Sequence, residues 1–138
     1  MRLHQNIAAL LSSPEGGAIF DLVGPTYRVL PATEDRVQDP EHGFIVYFAF
    51  QQTGGGNSPT VRVRLQTSLD KVNWTDVLES SLLESDGIRV ELRETLNPAT
   101  PLLPYVRAVT VLGGNPKPNH KVDARLVGSA PFRLKKES

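Results

Sequence analysis

The chain has 138 residues, the usual size of one domain and enough to bury a core without covalent staples. It has no cysteine, which excludes a disulfide framework and any thiolate metal site. Basic and acidic residues balance at 15 each, so the overall basic excess with which a nucleic-acid binder displaces counterions is missing, and copies of the chain repel one another weakly.

Leu3, Ile7, Leu10 and Leu11 fall at helical spacing, and Ser12-Ser13-Pro14-Glu15-Gly16-Gly17 breaks any helix there. Residues 1–16 read either as a short helix against the domain or as an arm that docks on a neighbouring copy. His4, Gln5 and Asn6 interrupt the apolar residues, so no signal-peptide core forms. No apolar run approaches the ~20 residues that span a bilayer, and a soluble protein with no membrane partner is expected.

From Ala18 the pattern is β. Ala18 to Val23 reads as a strand stopped by Gly24-Pro25, and Thr26 to Leu30 as a second stopped by Pro31. Residues 32–43 read as a long loop. In the next segment Phe44, Val46, Phe48 and Phe50 share one face and Ile45, Tyr47 and Ala49 the other. Apolar residues on both faces predict a strand covered on both sides, or one whose outer face meets another subunit. Ile45 and Tyr47 are therefore interaction candidates, together with Leu3, Ile7, Leu10 and Leu11 of the arm. Gly54-Gly55-Gly56 reads as a flexible loop; no Lys-Ser or Lys-Thr follows to make it a phosphate loop.

Thr60 to Ser68 alternates cleanly, with Val61, Val63, Leu65 and Thr67 on one face and Arg62, Arg64, Gln66 and Ser68 on the other. Leu69 to Asn73 turns the chain into a return strand over Trp74 to Leu78, making a hairpin. Ile88, Val90 and Leu92 alternate with Arg89, Glu91 and Arg93, predicting a further half-buried strand. After a proline-rich crossing, Tyr105 to Leu112 and Lys121 to Val127 read as strands, and Phe132 to Ser138 as a loose basic tail. Together these predict an all-β, antiparallel β-sandwich or jelly-roll-like domain over 17–129, between the arm and a tail over 130–138. Its expected core comprises Val61, Val63, Leu65, Trp74, Ile88, Val90, Leu92, Val106, Ala108, Val122, Ala124 and Leu126.

Catalytic groupings are sparse. His4, His42 and His120 fall on arm, loop and loop edge with no H-x-H or H-x-x-x-H spacing, so no metal or other cofactor is expected. No serine has a G-x-S-x-G context. Asp70 with Asp76, or Glu84 with Asp86, could act as a paired-carboxylate site but read better as solvated turn residues. Asn73-Trp74-Thr75 matches a glycosylation acceptor, which without a signal peptide is accidental. Trp74, the sole tryptophan, is expected in the core; exposed, it would be a sugar-stacking platform. Arg62, Arg64, Arg89, Arg93 and Arg107 read as cross-strand ion-pairing residues or as a polar subunit interface. The expectation is a protein that binds and assembles, not an enzyme.

The run from Val61 to Val77, with Gln66-Thr67-Ser68-Leu69-Asp70 followed by Trp74-Thr75-Asp76, resembles a hairpin common in small virion proteins of tailed bacteriophages. Leu103-Pro104-Tyr105-Val106-Arg107-Ala108, then Gly113-Gly114 and a final alternating strand, look like the same group. The similarity spans roughly Phe44 to Gly128. It implies a capsid decoration or head-stabilising protein that binds the major capsid protein lattice as a homo-oligomer, with a trimer favoured. A tail or head–tail connector component and a carbohydrate-binding module are the alternatives.

Overall fold

The computed structural model describes residues 4–5, 8–31, 45–94, 103–127, 129–130 and 132–137. The strands among them are β1 His4–Gln5, β2 Ala8–Ser12, β3 Tyr27–Pro31, β4 Ile45–Thr53, β5 Asn57–Ser68, β6 Trp74–Glu79, β7 Gly87–Glu94, β8 Tyr105–Asn115, β9 Asn119–Val127, β10 Ser129–Ala130 and β11 Phe132–Lys136. They form a four-stranded sheet, β2-β9-β4-β7, a five-stranded sheet, β11-β3-β8-β5-β6, and a two-stranded ladder of β1 with β10. Every ladder is antiparallel.

The pairing is nested. β5 pairs β6, β4 pairs β7, β3 pairs β8, β2 pairs β9 and β1 pairs β10. The chain is thus one long hairpin, closed at residues 69–73 and rolled up so that successive pairs fall alternately in the two sheets. Lateral pairs β4–β9 and β5–β8 close the roll. This is the jelly-roll arrangement, with β11 added outside β3. It agrees with the expected all-β sandwich.

The core lies between the sheets. Val46, Phe48 and Phe50 of β4 and Val122, Ala124 and Leu126 of β9 face Val61, Val63 and Leu65 of β5 and Ala108 and Leu112 of β8, all buried. The alternation of these strands predicts that face, because a period of two puts every second residue inward.

The N-terminal segment departs from expectation. The described part of residues 1–16 contains no helix; Ala8–Ser12 is strand β2, paired with β9 through Ala8–Leu126, Ala9–Arg125, Leu11–Ala124 and Ser12–Asp123. A bulge between Ala9 and Leu11 lets adjacent leucines, Leu10 and Leu11, both turn inward, at 1% and 4% exposure. Two leucines in a row fit a helical stripe and a bulged strand equally well, and the free edge of β9 decides between them.

The basic tail expected to be loose is β11, whose Leu134 packs on the core. Ala18 to Val23, expected as a strand, is an extended connector held by single bridges, Ala18 to His120 and Val23 to Val109. It runs so close to β2 that a side chain on Gly24 would collide with the Leu10 carbonyl, while the Gly24 N–H donates to the Ala108 carbonyl at 2.8 Å.

Candidate interaction surface

The outer face of the four-stranded sheet changes chemistry from one edge to the other. On β9 it carries Lys121, Asp123 and Arg125, the last two paired at 2.9 Å. On β4 it carries Ile45, Tyr47, Ala49 and Gln51, all half-buried. On β7, the edge strand, it carries Ile88, Val90 and Leu92, exposed to 72%, 59% and 65%.

The register explains the inversion. Tyr47 lies opposite Leu92, Ala49 opposite Val90 and Gln51 opposite Ile88, so all six residues point outward. Phe48 and Phe50 lie opposite Glu91 and Arg89, which places the charged residues of β7 on the inward side. Ile88, Val90 and Leu92, expected in the core, are therefore its solvent face. Inward does not mean unsatisfied. Glu91 accepts the Ser81 N–H at 3.0 Å and pairs with Arg93 at 3.0 Å and Arg89 at 3.6 Å. Burial alone would raise its carboxyl; the Ser81 and Arg93 hydrogen bonds outweigh it and hold the group below the usual carboxylate range. Between β7 and β9, the small Ala49 leaves a shallow groove of about 220 Å³ bordered by Ile88, Gln51, Lys121 and Asp123.

Leu10 and Leu11 are core residues and are not available for docking, because β2 completes the sheet that covers them. Leu3 and Ile7 lie outside the described residues. Ile45 and Tyr47 are brought next to the β7 stripe. Sequence alternation revealed a two-faced β7 but could not tell which face is inner. The apolar outer face of β4 was the signal, since an apolar strand on that side needs apolar neighbours. Ile19, Phe20 and Val23 on the connector, and Leu69 and Val72 at the β5–β6 turn, add further exposed apolar side chains.

The outer face of the five-stranded sheet is polar and self-paired. Arg64 meets Glu79 at 3.2 Å and Asp76 at 3.4 Å, and Arg62 meets Glu79 at 3.8 Å. Trp74 lies on this face and not in the core. A bulge opposite Leu65 and Gln66 makes Val77 an extra residue, so Leu78 turns inward while Asp76 and Trp74 turn out. The Arg107 guanidinium covers the indole at 4.1 Å from its centroid and donates to Gln66 at 3.0 Å. Tyr105 is flanked by Lys71 at 5.0 Å and Arg28 at 5.7 Å. Both aromatic rings already have cationic partners of their own, which argues against an open sugar-stacking platform.

Asp70 belongs to the turn. It accepts the N–H groups of Val72 and Asn73, each at 2.8 Å, the Asn73 side-chain amide and the Ser68 hydroxyl. These donors hold its carboxyl well below the usual range, led by the Asn73 and Val72 N–H groups. Among the described residues no three His, Asp or Glu side chains cluster to hold a metal ion.

No protein-family model and no curated protein matches the chain. Among solved structures it is similar to the cowpea mosaic virus top component, naturally occurring empty particles. Identity is 13%, covering 94% of this chain and 83% of that chain, with a TM-score of 0.40. A likeness at that score carries no functional argument.

Proposed function

We propose that this chain is a structural protein of a virus particle that works by binding protein surfaces and not by catalysis. The observation that carries the reading is the exposed stripe of Ile88, Val90 and Leu92, flanked by Tyr47 and Ala49, at the open edge of the four-stranded sheet. Exposed apolar side chains aligned in this way mark contact sites, whereas scattered ones need no explanation. Jelly rolls serve capsid and lectin domains alike, so the fold permits the reading without choosing it. The cations over Trp74 and Tyr105 weigh against the lectin branch. The resemblance of the Val61–Val77 hairpin supports the finer form: a decoration or stabilising protein on the outer lattice of the major capsid protein, located on the virion after assembly in the host cytoplasm. Many copies on a lattice turn modest single contacts into firm attachment.

The test is quantitative mass spectrometry of purified particles from the source, followed by rebinding of recombinant protein to stripped particles. A stoichiometric component whose rebinding is lost in Val90→Lys supports the reading. Absence from the particles, or rebinding indifferent to both Val90→Lys and Leu92→Lys, overturns it.

A further inference from the structure

We infer that strand β7 is a self-complementary edge that joins two copies of this chain about a two-fold axis, extending the four-stranded sheet into a continuous eight-stranded one. The inference rests on the reading of β7 as a contact strand and names its partner. β7 ends its sheet, and among the described residues no strand pairs with its outer edge. Such an edge presents unpaired backbone groups that a second strand can satisfy.

The sequence of β7 selects the partner. Two antiparallel copies centred on Val90 place Val90 opposite its own twin and Ile88 opposite Leu92 of the second copy, so the apolar faces match. On the other face the same register puts Arg89 opposite Glu91 of the second copy, twice over by symmetry. Neighbouring registers fail. Centring on Arg89 or on Glu91 sets like charges against each other. Centring on Leu92 keeps Glu91 opposite Arg93 but sets Val90 against Glu94, which breaks the apolar band. Proteins block a free edge with charges that repel a second strand; here the alternating signs attract one, and of these registers only the one centred on Val90 matches both faces. The joined edges would carry six apolar side chains in one band on the outer face, doubling the contact stripe. An edge contact falls near the lower bound of roughly 1,000 Å² for a specific interface, so a dimer that dissociates at micromolar concentrations is expected. A two-fold contact cannot close a trimer at this edge; a trimer would need another surface.

The chain has no cysteine, so introduced thiols report the register without background. Directly opposed residues in an antiparallel pair have Cα atoms about 4.5–5.5 Å apart, within reach of a disulfide. Residues offset by four are about 13 Å apart along the strand and out of reach. Under mild oxidation Val90→Cys should cross-link to a dimer, while Ile88→Cys and Leu92→Cys alone should stay monomeric. Ile88→Cys mixed with Leu92→Cys should cross-link. Separately, Arg89→Glu and Glu91→Arg should each weaken association in sedimentation at least tenfold, and their mixture should recover it as a heterodimer. Melting temperatures show which variants are folded; the three cysteines replace exposed side chains, so they keep the test valid if a charge variant fails. Lack of Val90→Cys cross-linking in folded protein, or equal cross-linking at all three positions, overturns the two-fold register. Particle rebinding that survives in the same protein would leave the assembly reading standing while this inference fails.

Discussion

Gln52 has no exposed surface, and its side-chain Nε2 donates to the carbonyls of Leu83 and Ser85, both at 2.9 Å, with the Pro59 carbonyl at 3.3 Å. Three acceptors in one place require a donor there, which fixes the amide orientation. The amide ties the β6–β7 connection, and so the position of β7, to the core of β4. Gln52→Glu would aim carboxylate oxygens at carbonyls without changing size. An expected loss on the order of 3–5 kcal/mol, the range for an uncompensated buried charge, would be read from the denaturant midpoint. Relative to the parent, the deficit should shrink as pH falls, because a neutral acid can donate one hydrogen. His120 supplies a second residue-scale prediction. Its Nδ1 faces the Ala18 carbonyl at 2.8 Å and its Nε2 the Thr110 hydroxyl at 2.9 Å. A carbonyl only accepts, so Nδ1 carries the hydrogen and neutral Nε2 accepts from Thr110, whose oxygen in turn accepts the Leu22 N–H at 2.9 Å. Burial pushes the imidazole pKa down, against the opposing pull of the Ala18 carbonyl and Asp21. With the folded pKa below the unfolded value of about 6.5, the unfolded chain takes up a proton that the folded chain refuses. Stability should be flat above that pH on this account and fall as the pH drops below it. His120→Asn, compared by melting curves across that range, should show a smaller slope.

At the scale of the strand, alternation reveals β4, β5, β8 and β9 correctly because each has one largely apolar face and pairs on both sides. It misplaced Trp74 and the β7 trio, for different physical reasons. The extra residue at Val77 shifts the phase of β6 by one, and a bulge leaves no mark in a six-residue strand. In β7 the phase is right but the sense is reversed, because partner register and not hydrophobicity decides which face looks inward. Of the candidate site, Ile45 and Tyr47 were legible from the two-faced β4, while Ile88, Val90 and Leu92 were assigned to the wrong side. Two stability measurements check these placements. Trp74→Ala should cost about 1–2 kcal/mol, the loss of a half-exposed ring and one cation–π contact, against about 3–5 kcal/mol for Phe48→Ala. Leu92→Ser should change stability by no more than about 0.5 kcal/mol, as expected for a side chain that leaves no core cavity. A loss of several kcal/mol in either Trp74→Ala or Leu92→Ser would mean that the side chain is buried after all.

Across the whole molecule, nested pairing makes the outermost strands depend on all the others. β2 meets β9 more than a hundred residues later in the chain, and it supplies Leu10 and Leu11 to a core that β4, β5, β8 and β9 otherwise enclose. A strand so near the outside of the nest is not thereby dispensable. Removing it takes away two fully buried leucines, each worth about 2–5 kcal/mol by the cost of truncation to alanine. It also opens the edge of β9 at Ala124 and Leu126. Against a total stability of about 5–15 kcal/mol, the sum approaches the whole margin. Deletion of residues 1–12 should therefore leave a chain that is largely unfolded or aggregated at 37 °C, visible as loss of cooperative melting and as added mass in light scattering. An outward arm would have behaved otherwise, leaving the melting temperature unchanged and only weakening contacts between copies. Leu10→Ala separates core loss from edge exposure, since it keeps β2 in place. It should melt cooperatively at a lower temperature and remain monodisperse at dilutions where the deletion aggregates. If the deletion melts like the parent, β2 does not hold the sheet together and residues 8–12 return to the list of docking elements.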